Sequence, residues 1–307
     1  MQFKLLILMT ISAITFSKSS TEIKQYQSII NMKNYFYPID SPQNFSDSAQ
    51  NLFMDEGAWF GFALPDTNHQ ISGFVGPYLM QYKSGGWLST SLINIKPLIK
   101  SENLSMDIES SMAYFDAGKL HLNKKYNNGI NIDQSLQYIS AKSILINISL
   151  HADSEIESEL QWFGELLIDE AKYENIAEGF QFSLDNGLLI HTRFSDPKIE
   201  FNLSESGYKS ISIDPIKIGI QPILKQVILS IFSKEDDIDS EIELVQSVLD
   251  DPTTVLTNHK NRWERYDLSI SKFNTETPQI DQKFVSINSS QLTLHRNIQK
   301  ASPISDK

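Results

Sequence analysis

From about residue 73 to residue 232 the apolar side chains return at every second position. Within Ser143–Leu150 the residues Ile144, Ile146, Ile148 and Leu150 fall on one side of the chain. Leu104, Met106 and Ile108 alternate with Ser105 and Asp107, and Phe180, Phe182 and Leu184 repeat the pattern until Asp185-Asn186-Gly187 interrupts it. It resumes over Leu188–Thr192, then at Ile199, Phe201 and Leu203, at Ile211 and Ile213, and at Val227, Leu229 and Ile231. Successive side chains of a strand point to opposite faces, so a period of two predicts strands with one face on a core. Asn186-Gly187 between two such runs predicts a tight hairpin with positive φ at both central residues. Asn127-Asn128-Gly129 marks another turn. Roughly a dozen short strands separated by turns predict an all-β chain, a large antiparallel β-sandwich or supersandwich. A mixed α/β fold would need helical stretches between the strands, and this region has almost none.

The period changes at Lys234, where an acidic run, Glu235 to Asp239, is followed by Ser240-Glu241-Ile242-Glu243. Ser240 with Glu243 fits a capping box, in which two side chains satisfy backbone N–H groups at a helix start. Ile242, Val245, Gln246 and Leu249 then share one helical face. Asp251-Pro252 reads as a second helix start, with Pro at the first helical position. Residues 253–270 place Leu256, Lys260, Trp263 and Tyr266 at helical spacing, and Thr277-Pro278 opens a third predicted helix carrying Ile280, Phe284, Ile287 and Leu292. A short helical linker and tail therefore follows the strands.

The N-terminus adds a targeting element. Lys4 precedes the apolar run Leu5–Phe16, and Ser17, Ser19 and Ser20 follow. Charge, apolar stretch and small residues in that order predict a secretory leader. The run is shorter than the roughly 20 apolar residues that a membrane-spanning helix needs. The expected divisions are a leader over 1–19, a β-sandwich over 20–233 and a helical tail over 234–307, in an exported protein of the periplasm or the medium with no membrane span. The chain has no Cys, so export brings neither disulfides nor a lipid anchor. Its net charge of −12 lacks any basic stripe, which argues against nucleic-acid binding. A neutral partner such as an oligosaccharide suits this charge.

The densest stretch is Asp55-Glu56-Gly57-Ala58-Trp59-Phe60-Gly61-Phe62-Ala63-Leu64-Pro65-Asp66, followed by Gly73-Phe74-Val75-Gly76-Pro77. Two readings stand for its aromatics: a sugar-stacking surface, or the core of an irregular first strand. These residues resemble the opening of the bacterial glucosidases of glycoside hydrolase family 63, the YgjK type, in which an "LGAW…LLPDG…GGFPG" stretch begins the N-terminal β-sandwich. The resemblance continues at Gly164-Glu165-Leu166-Leu167 and Asp185-Asn186-Gly187-Leu188. It returns at Asp251-Pro252 and at Arg262-Trp263-Glu264-Arg265-Tyr266, which is similar to the "RWEEY" linker helix of the family. It covers about residues 30 to 295 in matching order. Trp59-Phe60-Gly61-Phe62 departs from the pattern, with aromatics where members carry His.

The resemblance implies a sandwich that family members join to an (α/α)6 barrel, where both catalytic carboxylates of an inverting α-glucosidase sit. Such chemistry needs two carboxyl groups roughly 6.5–9.5 Å apart across the bond. No barrel motif occurs before Lys307, so the resemblance transfers no catalytic residue here and implies a non-catalytic, truncated relative that is inactive alone. The residues expected to contact carbohydrate or a neighbouring domain are Trp59, Asp66, His69 and Trp87. Trp263, Tyr266 and Phe284 are expected to face a barrel supplied by another chain. An envelope interaction module is the further alternative. No cofactor or metal is expected. The six histidines show no HExxH or paired spacing, and the carboxylates of 235–243 suit helix capping better than a calcium loop.

Overall fold

The computed structural model describes residues 38–66, 71–80, 85–98, 107–116, 118–168, 171–196, 199–204, 206–211 and 215–276. The largest sheet runs from edge to edge through β10 (Lys172–Ile176), β11 (Gly179–Ser183), β12 (Leu189–Phe194), β16 (Ile223–Phe232), β8 (Ser143–Ala152), β7 (Ile130–Tyr138), β6 (Lys119–Tyr126) and β5 (Ile108–Asp116). A second sheet orders β13 (Glu200–Ser204), β14 (Gly207–Ile211), β9 (Ile156–Glu165) and β15 (Ile216–Ile218), with β4 (Asn94–Leu98) also paired to β9. A small third sheet holds β1 (Phe60–Ala63), β2 (Val75–Leu79) and β3 (Gly86–Trp87). Every pairing between these strands is antiparallel.

The period of two is what packs the sandwich. Ile144, Ile146, Ile148 and Leu150 of β8 are buried beside Leu120 and Leu122 of β6, Ile130, Ile132 and Leu136 of β7, and Val227, Leu229 and Ile231 of β16. Leu160 and Trp162 of β9 and Phe201 and Tyr208 of the second sheet close the same core. Its aromatic centre sets Phe180 4.2 Å from Tyr208 and Phe194 4.9 Å from Phe201, centroid to centroid. Each such side chain contributes about 1.5–3 kcal/mol by leaving water.

Both Asn-Gly turns form, with a geometry different from the one expected. Gly187 takes φ +80° and Gly129 φ +87°, whereas neither Asn186 nor Asn128 has a positive φ. Gly187 N–H donates to Leu184 O and Leu184 N–H to Leu188 O, both at 2.9 Å. The loop is thus a three-residue connection ending in a left-handed glycine. The Asn side chain accepts from the residue after the glycine in each case, at 3.0 Å from Leu188 N and from Ile130 N. That side-chain bond holds Asn out of the left-handed region.

Two helices follow the last strand, α1 (Ile238–Asp250) and α2 (Thr253–Glu276). The cap of α1 is Asp237, whose carboxylate accepts from Ser240 N–H, so the capping-box assignment to Ser240 is one turn late. Asp251 accepts from Thr253 N–H at 2.9 Å, as its sequence context predicted, although α2 begins one residue after Pro252. The buried face of α1 centres on Val245 and Val248, where the expected face had Ile242 and Val245. It covers Leu145 and Ile228, which point away from the main core. The expected leader 1–19, the predicted strand positions Leu104, Met106 and Ile213, and the third predicted helix lie outside the described residues. Among those residues no helix is long and apolar enough to cross a membrane.

Polar side chains also enter the core face, and they tie the sheets together. Gln134 Nε2 donates to Ser72 O at 2.6 Å, Ser72 N–H to Asn94 Oδ1 at 3.1 Å, and the buried Lys124 amine to Ile71 O. They hold the segment that feeds Gly73-Phe74-Val75-Gly76 into β2. Burial lowers the Lys124 amine to about 8. Below that pH the amine is charged in folded and unfolded chains alike, and only the folded chain bears the desolvation cost. From about pH 8 to the ordinary lysine value of 10.5 the unfolded chain binds more protons, so stability rises with pH through that window. Lys124→Met removes this rise. Thermal unfolding should show the variant gaining most over the parent protein at pH 7, with the gap closing toward pH 10. A gap constant with pH would contradict this.

Candidate functional site

Two of the stretches that carry the family resemblance, far apart in sequence, meet in space. Asp55-Glu56-Gly57-Ala58 is a tight turn ahead of β1: Glu56 takes φ 54°, Gly57 takes φ 82°, and Ala58 N–H donates to Asp55 O at 3.0 Å. On its N-terminal side the chain is fixed by two backbone bonds between Phe53 and Phe62, 2.7 and 3.1 Å. Tyr138 Oη adds a bond of 2.7 Å to Phe60 O. The turn directs the Asp55 carboxylate inward, to 4% exposure.

A buried carboxylate needs compensating charge and donors, and α2 brings both. Arg262 Nη1 donates to Asp55 Oδ1 at 2.7 Å and Nη2 to Oδ2, a bidentate fork. Trp263 Nε1 donates to Oδ2 at 3.0 Å, and Glu56 N–H to Oδ1 at 2.8 Å. Arg262 Nε lies 2.8 Å from Glu56 Oε1, so one guanidinium spans both carboxylates. His259, one turn earlier on α2, is buried with Nδ1 3.4 Å from Arg262 Nη2.

The Trp263 indole lies over Gly118, in the β5–β6 turn, and edge-on to Phe115 at 5.8 Å. A Cβ on Gly118 would stand 2.0 Å from Trp263 Nε1, and Gly118 has φ +80°. Only glycine leaves room for the ring. Burial opposes ionisation of Asp55, but Arg262 and the backbone and indole donors outweigh it and hold the carboxyl below its ordinary value. A general acid needs a raised pKa and access to substrate. Asp55 has neither, and the cluster acts as a latch.

The residues expected to touch carbohydrate are scattered in their roles. Trp59 is half-buried and edge-to-face with Phe60, 6.0 Å away. Asp66 is half-buried, its N–H donating to Ile39 O at 3.0 Å. Trp87 is fully enclosed with Ala63 and Val75 and stands edge-on to Tyr78 at 5.2 Å, so it has no ring face to offer a ligand. Phe60 and Phe62 are core residues. His69, Phe284 and the side chain of Tyr266 lie outside the described residues. Trp263, expected to face a barrel, spends its indole on the sandwich. Among the acidic residues of 235–243, Asp236 pairs with Lys142 at 2.9 Å and Glu241 accepts from Ser143 Oγ at 2.6 Å, which secures α1. Sequence reading missed the Asp55–Arg262 pairing, although opposite charges inside two motifs were a visible cue.

The family model described as Glucosidase YgjK, N-terminal, matches residues 38–193, about half of the chain. The chain belongs to this family. The match to the YgjK N-terminal family includes Asp55 and stops short of Arg262, so the latch joins the matched domain to a helix beyond it. A search of the curated proteins found no match. Among solved structures, a human-microbiome protein described as a kojibiose phosphorylase is 11% identical with a TM-score of 0.45 over 77% of this chain. The chain spans 35% of that protein's length. An Escherichia coli K12 protein described as an aldose 1-epimerase is 8% identical with a TM-score of 0.43, covering 57% of this chain and 96% of its own. The Slr1438 protein of Synechocystis sp. PCC 6803 is 11% identical with a TM-score of 0.40, covering 64% and 100%. None of these likenesses bears on activity.

Breaking the latch should release α2. Asp55→Ala leaves the Arg262 Nη1 and Nη2 groups and the indole N–H without their acceptor, with Glu56 still beside Nε, and should cost about 3 kcal/mol, the lower end of the range for one partner lost from a buried pair. Gly118→Ala should undock Trp263 with every charge retained. Hydrogen exchange over residues 253–265 should accelerate in both variants, and unchanged protection would contradict the latch. Because the Asp55 pKa is depressed in the folded chain, its contribution is complete above the unfolded value and is lost as pH falls through the folded one. Asp55→Asn should therefore be less stable at pH 7 yet flatter than the parent on the acid limb below about pH 4.

Proposed function

We propose that this protein is the non-catalytic N-terminal domain of an α-glucosidase of the YgjK type. Its task is to seat, at a fixed angle on the sandwich, the helix that leads toward an (α/α)6 barrel holding the catalytic carboxylates. The latch carries this reading. A bidentate Arg, an indole N–H and a glycine cradle together fix position and rotation of α2, which an apolar contact alone would leave free to slide. Asp55 is consumed in that contact, Asp237 in capping α1, and Asp236 and Glu241 in anchoring it, which supports a role without hydrolysis of its own. The half-buried Trp59 and Asp66 remain the positions at this end of the fold from which a weak sugar contact is proposed. The proposed setting is outside the cytoplasm, on the strength of the leader-like residues 1–19.

Purified protein incubated with α-linked gluco-oligosaccharides should release no glucose. Hydrolysis by the chain alone, abolished by replacing one of its own Asp or Glu residues, would contradict the proposal.

A further inference from the structure

The eight-stranded sheet turns one face to the core and one outward, and the outward face is divided. Where α1 lies on it, the face is apolar, with Leu145 and Ile228 buried. Beyond α1, over β16, β8, β7, β6 and β5, no described element covers it, and its side chains become polar and half-exposed. The register sets them in two neighbouring rows. One carries Gln226, Asn147, His121 and Tyr114, and the other Leu224, Asp133, Asn123 and Met112.

These side chains are already ordered. Gln226 Nε2 donates to Asn147 Oδ1 at 2.9 Å, and Asn123 Nδ2 donates to Asp133 Oδ1. Asp133 Oδ2 lies 3.7 Å from His151 Nδ1. The Tyr114 and His121 rings stack, 8° from parallel with centroids 4.7 Å apart. Each primary amide has further donor and acceptor capacity, and a carboxylate accepts several bonds. Amides held by one another in the free protein lose little rotamer freedom when a ligand arrives.

The ends of the second row are apolar and open, Met112 54% exposed and Leu224 73%. They sit on strands four spacings apart, about 19 Å at the usual inter-strand distance. An amide and hydroxyl array flanked by apolar tips matches the alternating hydroxyl and C–H surfaces of a pyranose chain. A net charge of −12 disfavours an acidic polymer. We infer that this outward face binds a neutral oligosaccharide laid across the strands. The face stands on its own geometry; only the choice of an α-gluco-oligosaccharide rests on the proposed function.

The test is calorimetric titration of the full chain with maltoheptaose, with cellohexaose as a second probe, using the parent protein, Asn123→Ala/Asp133→Ala, Tyr114→Ala and Trp59→Ala. All of the altered outward residues are half-exposed, and thermal unfolding confirms that each variant is folded. Maltoheptaose should bind the parent, and Trp59→Ala should remove no more than the separate weak contact proposed at that residue, leaving binding at the outward face in place. Loss of one charge-assisted hydrogen bond should weaken the double variant by about tenfold or more, and Tyr114→Ala should also weaken binding. Cellohexaose bound in place of maltoheptaose, and lost in the double variant, would uphold the face and count against the α-glucosidase reading. Absence of heat with both sugars would overturn the inference. So would binding abolished by Trp59→Ala and untouched by the double variant, or a sugar-insensitive dimer in sedimentation that the double variant dissociates.

Discussion

A carboxylate removed from water must find a cation and donors or give up its charge, and that constraint organises the junction between sheet and helix here. Asp55 is placed in the interior by a turn with two consecutive left-handed residues, well before α2 is reached along the chain. Its compensation comes from Arg262 and Trp263, more than 200 residues later. The buried carboxylate at this turn is therefore compensated only with α2 in place. The dependence runs both ways: without Asp55, α2 would bring two guanidinium N–H groups and an indole N–H to the sheet without their acceptor, leaving Arg262 its contact with Glu56.

The strands were legible because alternation and burial report the same fact. Phe180 and Phe182, Val227 and Leu229, and the Ile144–Leu150 series all point inward as their spacing requires. Leu145 and Ile228 broke the alternation, and α1 supplies the reason, since a helix covers the sheet face they occupy. Turn type was less legible. Asn-Gly fits two hairpin geometries, and the bond that Leu188 N–H donates to Asn186 Oδ1 accompanies the one in which only Gly187 is left-handed. The helix cap moved to Asp237 for a similar reason: several residues near Ser240 can cap, and tertiary contacts choose among them.

The candidate site was legible as two motifs and illegible as a pair. Neither the Asp55 stretch nor the Arg262 stretch says which distant residue it will meet, and the spacing of Gly118 from Trp263 has no local signature at all. Aromatic density around residues 57–62 left a sugar-facing surface and a strand core both open, and the fold uses Phe60 and Phe62 as core; Trp87, expected to contact carbohydrate, is core as well. Aromatics suit both places, and only burial separates them. The polar outward rows of the large sheet give no motif, because their order arises across five strands.

The central claim is an energetic coupling between Asp55 and Arg262, and a double-mutant cycle with Asp55→Ala and Arg262→Met measures it directly by chemical denaturation at pH 7. A buried, bidentate pair predicts a coupling of about 1.5–3 kcal/mol, with the double variant markedly more stable than the sum of the single losses implies. Additivity within about 0.5 kcal/mol would contradict the account, because the two groups would then stabilise the protein independently.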